Sequence, residues 1–159
     1  GVPYGTAFVK NSYVGRTFIK PKQSSRESAV RIKLNVLREA VAGKRVIMID
    51  DSIVRGTTSA LIVNMLRDAG AIQVHVRISA PPFLHPCYFG TDIPSEDQLI
   101  AHGHTVDEIR RIIGADSLSF LQTERLHEMA AGKPVCMACF NGVYPIEPPS
   151  ADIRGTYEK

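Results

Sequence analysis

Two adjacent carboxylates, Asp50 and Asp51, are followed at once by Ser52, Ile53, Val54, Arg55, Gly56, Thr57 and Thr58. Acids side by side are hard oxygen donors that suit magnesium or sugar hydroxyls. The residues after them supply hydroxyls, a glycine and backbone N–H groups at the start of a helical pattern, where orphan donors and the helix dipole bind anions. Carboxylates repel phosphate, so Asp50 and Asp51 are expected to face ribose hydroxyls or a metal. That leaves Arg55-Gly56-Thr57-Thr58 to a phosphate monoester. Together the two halves suit a phosphoribosyl group carrying a magnesium-bound pyrophosphate. The bland alternative is an Asp-rich turn beside an ordinary Ser/Thr helix cap. A strand pattern before and a helix pattern after weigh against it.

The elements that must position this turn are legible around it. Val46, Ile47, Met48 and Ile49 form a continuous apolar run, the pattern of a parallel strand covered on both faces. The acids then stand at its carboxyl end, where open α/β sheets place their ligands. Leu61, Ile62, Met65, Leu66 and Ala69 continue as a helix over 57–69 that stops at Gly70. Ile72, Val74, Val76 and Ile78 alternate with Gln73, His75, Arg77 and Ser79, which predicts a second strand with one polar face and a solvated His75. Upstream, Ser24 and Glu27 spell a capping box for a helix carrying Val30, Leu34, Leu37 and Val41 to Gly43. Downstream, Ser95 and Gln98 cap a short helix, Thr105 and Glu108 cap another ending at Gly114, and 117–121 reads as a brief strand. A last helix covers 123–131, and the Pro-rich stretch 145–149 is irregular.

Two further groups carry chemistry. In residues 8–20, Lys10, Arg16 and Lys20 alternate with Tyr13, Phe18 and Ile19 around Gly15. A segment of that kind can fold over a pyrophosphate, with cations for the leaving charge and apolar groups to exclude water. A hairpin with a solvated basic face is the other reading. Cys87, Cys136 and Cys139 form a C-x48-C-x2-C pattern, an odd number of thiols suited to a metal site rather than a disulfide framework. Zinc and iron–sulfur sites both take four ligands, so one is lacking. His85 is a candidate fourth ligand for zinc, and buried free cysteines are the alternative to any metal.

The strand, the paired acids and the small-residue loop resemble the phosphoribosyltransferase family, whose signature binds 5-phosphoribosyl-1-pyrophosphate. VGRTFI, VIMIDDSIVRGTTS, SAPPFLHPCYFGTD, IGADSLSFL and CMACFNGVYPIE resemble, in order, the glutamine phosphoribosylpyrophosphate amidotransferase family and its iron–sulfur subclass. The resemblance implies a type I phosphoribosyltransferase fold: α/β, a mostly parallel sheet with flanking helices. It implies synthesis of 5-phosphoribosylamine, the first step of purine biosynthesis, from ammonia that a separate glutaminase domain draws from glutamine. It makes Asp50 and Asp51 the magnesium and ribose acids, and Ser52, Val54, Arg55, Gly56, Thr57 and Thr58 the 5-phosphate loop. Lys10, Tyr13, Arg16, Phe18 and Ile19 become part of a mobile loop closing on pyrophosphate, with Arg16 catalytic alongside the two acids. Cys87, Cys136 and Cys139 become three ligands of a [4Fe–4S] cluster whose fourth cysteine lies outside this chain. Ser12 stands where relatives often have a further arginine, and Lys133 where some carry another cysteine. A homotetramer inhibited by purine nucleotides is also implied.

Length and composition set outer bounds. A chain of 159 residues with 44% hydrophobic content suits one domain, residues 1–159, including the cysteine-containing tail. The first methionine is Met48, and a doubly wound sheet calls for a strand before Gly1, so the expectation is a fragment lacking its N-terminal strand and glutaminase domain. The net charge of +3 reflects 19 scattered bases against 16 acids, with no nucleic-acid-reading motif. No apolar run is long enough to cross a bilayer, and a cytoplasmic location is expected. Two rival functions share the same pocket: transfer to a nucleobase, and a non-catalytic regulator that senses phosphoribosylpyrophosphate.

Overall fold

The computed structural model describes residues 1–10, 34–90, 93 and 95–148. Strands β3 (Arg45–Asp50), β4 (Gln73–Ile78) and β5 (Ser117–Phe120) form a parallel sheet in the order β3-β4-β5. Parallel neighbours need a crossover, and helices provide it. Helix α2 (Thr57–Asp68) links β3 to β4, and α3 (Ile100–Gly103) and α4 (Val106–Ile113) lie between β4 and β5. Register places Val46 beside Val74, Met48 beside Val76 and Asp50 beside Ile78, with Val76 also opposite Leu118. These side chains share one face of the sheet, and Val63 and Leu66 of α2 and Ile109 and Ile113 of α4 close over them. Val63, Leu66, Val74 and Val76 are fully buried. Burial of a side chain of this size contributes about 1.5–3 kcal/mol, so this layer sets the height at which β3 ends.

The opposite face corrects the reading of β3 as a strand covered on both sides. Ile47 and Ile49 are 45% and 76% exposed, and β3 is an edge strand among the described residues. The helices that are described pack on the Val46–Met48 side, and the pleat turns the intervening isoleucines away from it. On β4 that second face is polar as expected, and Ser117 and Ser119 continue it on β5. His75 Nδ1 lies 2.9 Å from Ser117 Oγ, and Arg77 donates to the same hydroxyl at 3.0 Å. His75 is therefore tied to the neighbouring strand rather than simply solvated.

A second correction concerns 24–43. Leu34–Val36 is not helical: as β2 it pairs antiparallel with β1 (Phe8–Lys10), and Leu37 N–H extends the pairing to Ala7 O at 2.8 Å. Among the described residues of this stretch, helix is confined to α1 (Arg38–Val41), which buries Val41 and ends before Gly43. Leu34, Leu37 and Val41 fit a helical period, yet a partner strand far upstream satisfies the Leu34–Val36 backbone instead. Ser24, Glu27 and Val30 lie outside the described residues.

The remaining elements follow their end signals closely. Thr105 and Glu108 form the expected capping box on α4, with Thr105 N–H donating to Glu108 at 2.7 Å and Glu108 N–H to Thr105 Oγ1 at 3.3 Å. The Thr105 N–H and the Thr105 hydroxyl, which donates to Glu108 Oε2 at 2.8 Å, hold the Glu108 carboxyl below its usual range. Gly114 ends the helix in the left-handed region at φ 74°. Asp116 accepts from Val74 N–H at 2.7 Å and from Arg67 at 2.9 Å, clasping β5 to β4 and α2. Helix α5 (Thr123–Met129) stops short of the predicted end, with Ala131 at φ 51°. Helix α6 (Ala138–Asn141), directly after Cys136, was not anticipated. Among the described residues no helix is long and apolar enough to cross a membrane.

Candidate functional site

The acids stand where β3 runs out. Ser79 fixes that strand end from the neighbouring strand, its N–H and hydroxyl both reaching Asp50 O, at 3.0 and 3.2 Å. Asp50 Oδ1 accepts from Asp51 N–H at 3.0 Å, and Ser52 Oγ meets Asp51 Oδ1 at 3.4 Å. Burial pushes the Asp50 carboxyl above its usual range; the Asp51 N–H opposes this and the Asp51 charge adds to it. Asp51 itself is exposed. The pair thus presents one half-buried and one open carboxylate at the mouth of the sheet.

Ile53, 2% exposed, anchors the turn, and the chain enters α2 through Gly56 at φ 78°. The Gly56 N-cap has no side-chain cap bond, and the first turn of α2 contains no acid. The first helical bond runs from Ala60 N–H to Gly56 O, so the amides of Thr57, Thr58 and Ser59 precede the ladder at the positive end of a twelve-residue helix. Thr57 is exposed and Thr58 half-buried beside them. The structure therefore brings Asp50, Asp51, Ser52, Val54, Arg55, Gly56, Thr57 and Thr58 into one continuous turn. Lys10 is exposed at the end of β1, whose described contacts are with β2 and, through Ala7 and Phe8, the core. Tyr13, Arg16, Phe18 and Ile19 lie outside the described residues.

The back of the turn rests on residues that sequence reasoning had assigned elsewhere. Val54 O accepts from Ile100 N–H at 2.9 Å, and the Arg55 guanidinium donates through Nη2 to Gln98 Oε1. Gln98 sits on the 3-10 turn Glu96–Gln98, and Ser95 makes no side-chain cap bond there. The expected Ser95–Gln98 cap is absent, and the Gln98 carbonyl oxygen accepts from Arg55. The Leu99-Ile100 apolar pair after Gln98 was the available signal for this packing.

Cys87 and Cys139 pack against the same small apolar cluster, and Cys136 is exposed. Burial raises the Cys139 thiol to about 11, with smaller contributions from the charges of Cys87 and then Cys136. Cys139 O accepts from both Leu84 N–H (2.9 Å) and His85 N–H (3.1 Å), and Cys87 N–H donates to Ile93 O at 3.1 Å. Tyr144 seals the outside, its hydroxyl on Pro86 O at 2.8 Å and its ring 5.2 Å from that of Tyr88. No disulfide joins the three thiols, and among the described residues no three His, Cys, Asp or Glu are grouped so as to hold a metal ion. His85 does not supply the fourth donor: its Nδ1 lies 3.5 Å from Glu96, which also faces His102 Nε2 at 3.4 Å.

The turn and the cysteines share a small core, a connection that no motif announced. Val54, Cys87, Cys139 and Phe140 pack against Phe83, Ile93 and Leu99, and the Phe83 and Phe140 rings lie 5.0 Å apart.

Relatives of known identity match nearly the whole length of the chain. Over 153 residues, 92% of the chain, it is 55% identical to the amidophosphoribosyltransferase of Bacillus subtilis (strain 168). The chain is a homologue of the amidophosphoribosyltransferases. The amidophosphoribosyltransferase of Archaeoglobus fulgidus is 54% identical over 96% of the chain. No family model matches. The chain spans about a third of the length of these relatives, 32% and 34% respectively. Among solved structures, the glutamine phosphoribosylpyrophosphate amidotransferase from B. subtilis complexed with ADP and GMP superposes with a TM-score of 0.78 at 54% identity, over 94% of this chain and 34% of that one. A second match, a structure of the allosteric regulatory enzyme of purine biosynthesis, has the same TM-score and identity. The α/β architecture with its parallel three-stranded sheet is thus that of the matching part of these enzymes.

Proposed function

We propose that the turn from Asp50 to Thr58 binds 5-phosphoribosyl-1-pyrophosphate. On this reading the chain is the phosphoribosyl-transferring part of an enzyme that makes 5-phosphoribosylamine from ammonia released from glutamine, at the start of purine biosynthesis. The observation that carries it is the uncapped, acid-free start of α2 directly following two carboxylates at a strand end. The helix amides and the Arg55-Gly56-Thr57-Thr58 backbone hold the 5-phosphate, and Asp50 and Asp51 hold the ribose hydroxyls. The bond from the anomeric carbon to pyrophosphate breaks as the ammonia nitrogen bonds to that carbon and then gives up a proton. Positive charge develops on the ribose meanwhile, and the two carboxylates lie beside it. Ammonia is already a free nucleophile, so no general base is required. Magnesium, when bound, neutralises charge on the departing pyrophosphate, and the adjacent carboxylates are the hard donors it takes. Lys10, Tyr13 and Arg16 belong on this reading to the segment closing over the pyrophosphate.

Cys87, Cys136 and Cys139 are proposed as three ligands of a [4Fe–4S] cluster with a fourth cysteine outside this chain. When bound, the cluster contributes cross-linking and therefore folding stability. The complete protein is expected to contain iron and acid-labile sulfide in equal amounts; stoichiometric zinc without sulfide overturns this assignment. A homo-oligomer, inhibition by purine nucleotides and a cytoplasmic location complete the proposal. The acceptor is tested by offering the complete protein phosphoribosylpyrophosphate with ammonium, or with purine and pyrimidine bases. Pyrophosphate release is expected with ammonium alone, and release only with a base overturns the reading.

A further inference from the structure

We propose that Gln98 is a positioning residue for the phosphate-binding turn, acting through Arg55; this rests on the function proposed above. Three consecutive residues of the turn meet three consecutive residues of the 98–100 segment. Val54 gives its carbonyl to Ile100 N–H and packs with Leu99, Arg55 donates to Gln98, and Gly56 lies against the Ile100 side chain. Val54 and Gly56 are held by backbone and apolar contact, which many sequences satisfy. Arg55 alone is held by a specific polar side chain, 43 residues away.

The support under Gln98 is itself fixed. Leu99 is 3% exposed, Leu99 N–H returns to Glu96 O at 2.9 Å, and Gln98 N–H returns to Ser95 O at 3.3 Å. Glu96 faces His85 and His102, and His102 Nδ1 lies 3.0 Å from Leu84 O, which ties the 3-10 turn to the loop carrying Cys87. A mobile acceptor would orient nothing; this one is bracketed on both sides.

The choice of an amide has a chemical reason. A carboxylate at 98 would pair with the guanidinium and set a negative charge behind the phosphate-binding turn. A glutamine carbonyl accepts the bond and leaves the full positive charge in place. It therefore orients Arg55, and with it the amides of 55–57, without weakening attraction for an anion.

The test uses the complete enzyme in a double-mutant cycle of Gln98→Met and Arg55→Met. Gln98→Met is expected to raise the KM for phosphoribosylpyrophosphate about tenfold, the loss of one bond to a charged group, with kcat within about twofold. Competitive inhibition by ribose 5-phosphate should weaken by the same factor. In the Arg55→Met background the same change at 98 should add nothing. An unchanged KM in Gln98→Met, or equal effects in both backgrounds, overturns the proposal. Gln98→Asn, one methylene too short to reach, supplies the same comparison if the methionine variant fails to fold. Wild-type enzyme that neither binds the substrate nor releases pyrophosphate would instead defeat the function on which the proposal rests.

Discussion

Asp50→Asn and Asp51→Asn introduced together into the complete enzyme are expected to lower ammonia-dependent pyrophosphate release by at least about a thousandfold, since fixed charges facing a developing charge are the largest single contribution in such sites. Asparagine keeps the size of each side chain and its capacity to bond a ribose hydroxyl. What it removes is negative charge beside the anomeric carbon and the hard donors for magnesium. Turnover within a few-fold of wild type would defeat the assignment. Stability should move the other way. Burial holds the Asp50 carboxyl above its ordinary value of 3.8 in the folded protein. The folded state thus binds that proton more tightly than the unfolded one, and stability contributed by protonated Asp50 is lost as pH rises from about 4 through the raised folded value. At neutral pH the ionised group is a net cost, so Asp50→Asn alone should melt no lower than wild type while losing activity. A lower melting temperature for that variant would show that the carboxylate is a structural tie.

Gly56→Ala should damage both stability and substrate binding, and the two causes are separable. A Cβ at this position would lie 2.6 Å from Ile100 Cδ1, and φ of +78° is strained for any L side chain. The δ-methyl is the end of a side chain, but Ile100 is only 9% exposed and has little room to swing. Backbone strain of this kind costs about 1–3 kcal/mol. Thermal denaturation of the complete protein should register a loss of that order, with a raised KM for phosphoribosylpyrophosphate because the amides of 57–59 no longer align. Ile100→Val removes the clashing methyl and should restore part of the stability in the double variant, leaving the φ strain. Full recovery would mean that φ contributes nothing, and no change in Gly56→Ala itself would mean that the turn tolerates a side chain.

Different physical ranges separate what was legible in the chain from what was not. The turn and its frame were readable because each signal is local: charge ends the apolar run at Asp50, Gly56 and two threonines open α2, and Thr105 and Glu108 cap one another three residues apart. Where a segment's backbone partner lay far off, the same local rules misled. Leu34–Val36 fits a helical period, but Phe8–Lys10 claims its N–H and C=O groups. Ile47 and Ile49 read as core, but the described helices pack on the other side of the sheet.

Residue types and order by themselves determined a parallel α/β unit, an acid pair at a strand end and a helix start with orphan N–H groups directly after it. These follow from chemistry that a few adjacent residues carry together. Only the tertiary structure decided that Gln98 serves Arg55 instead of its own helix, that His85 turns to Glu96 instead of joining the cysteines, and that Val54 shares a core with Cys87 and Cys139. A side chain with one acceptor goes to the partner the fold brings nearest, and which partner that is depends on packing between segments many residues apart.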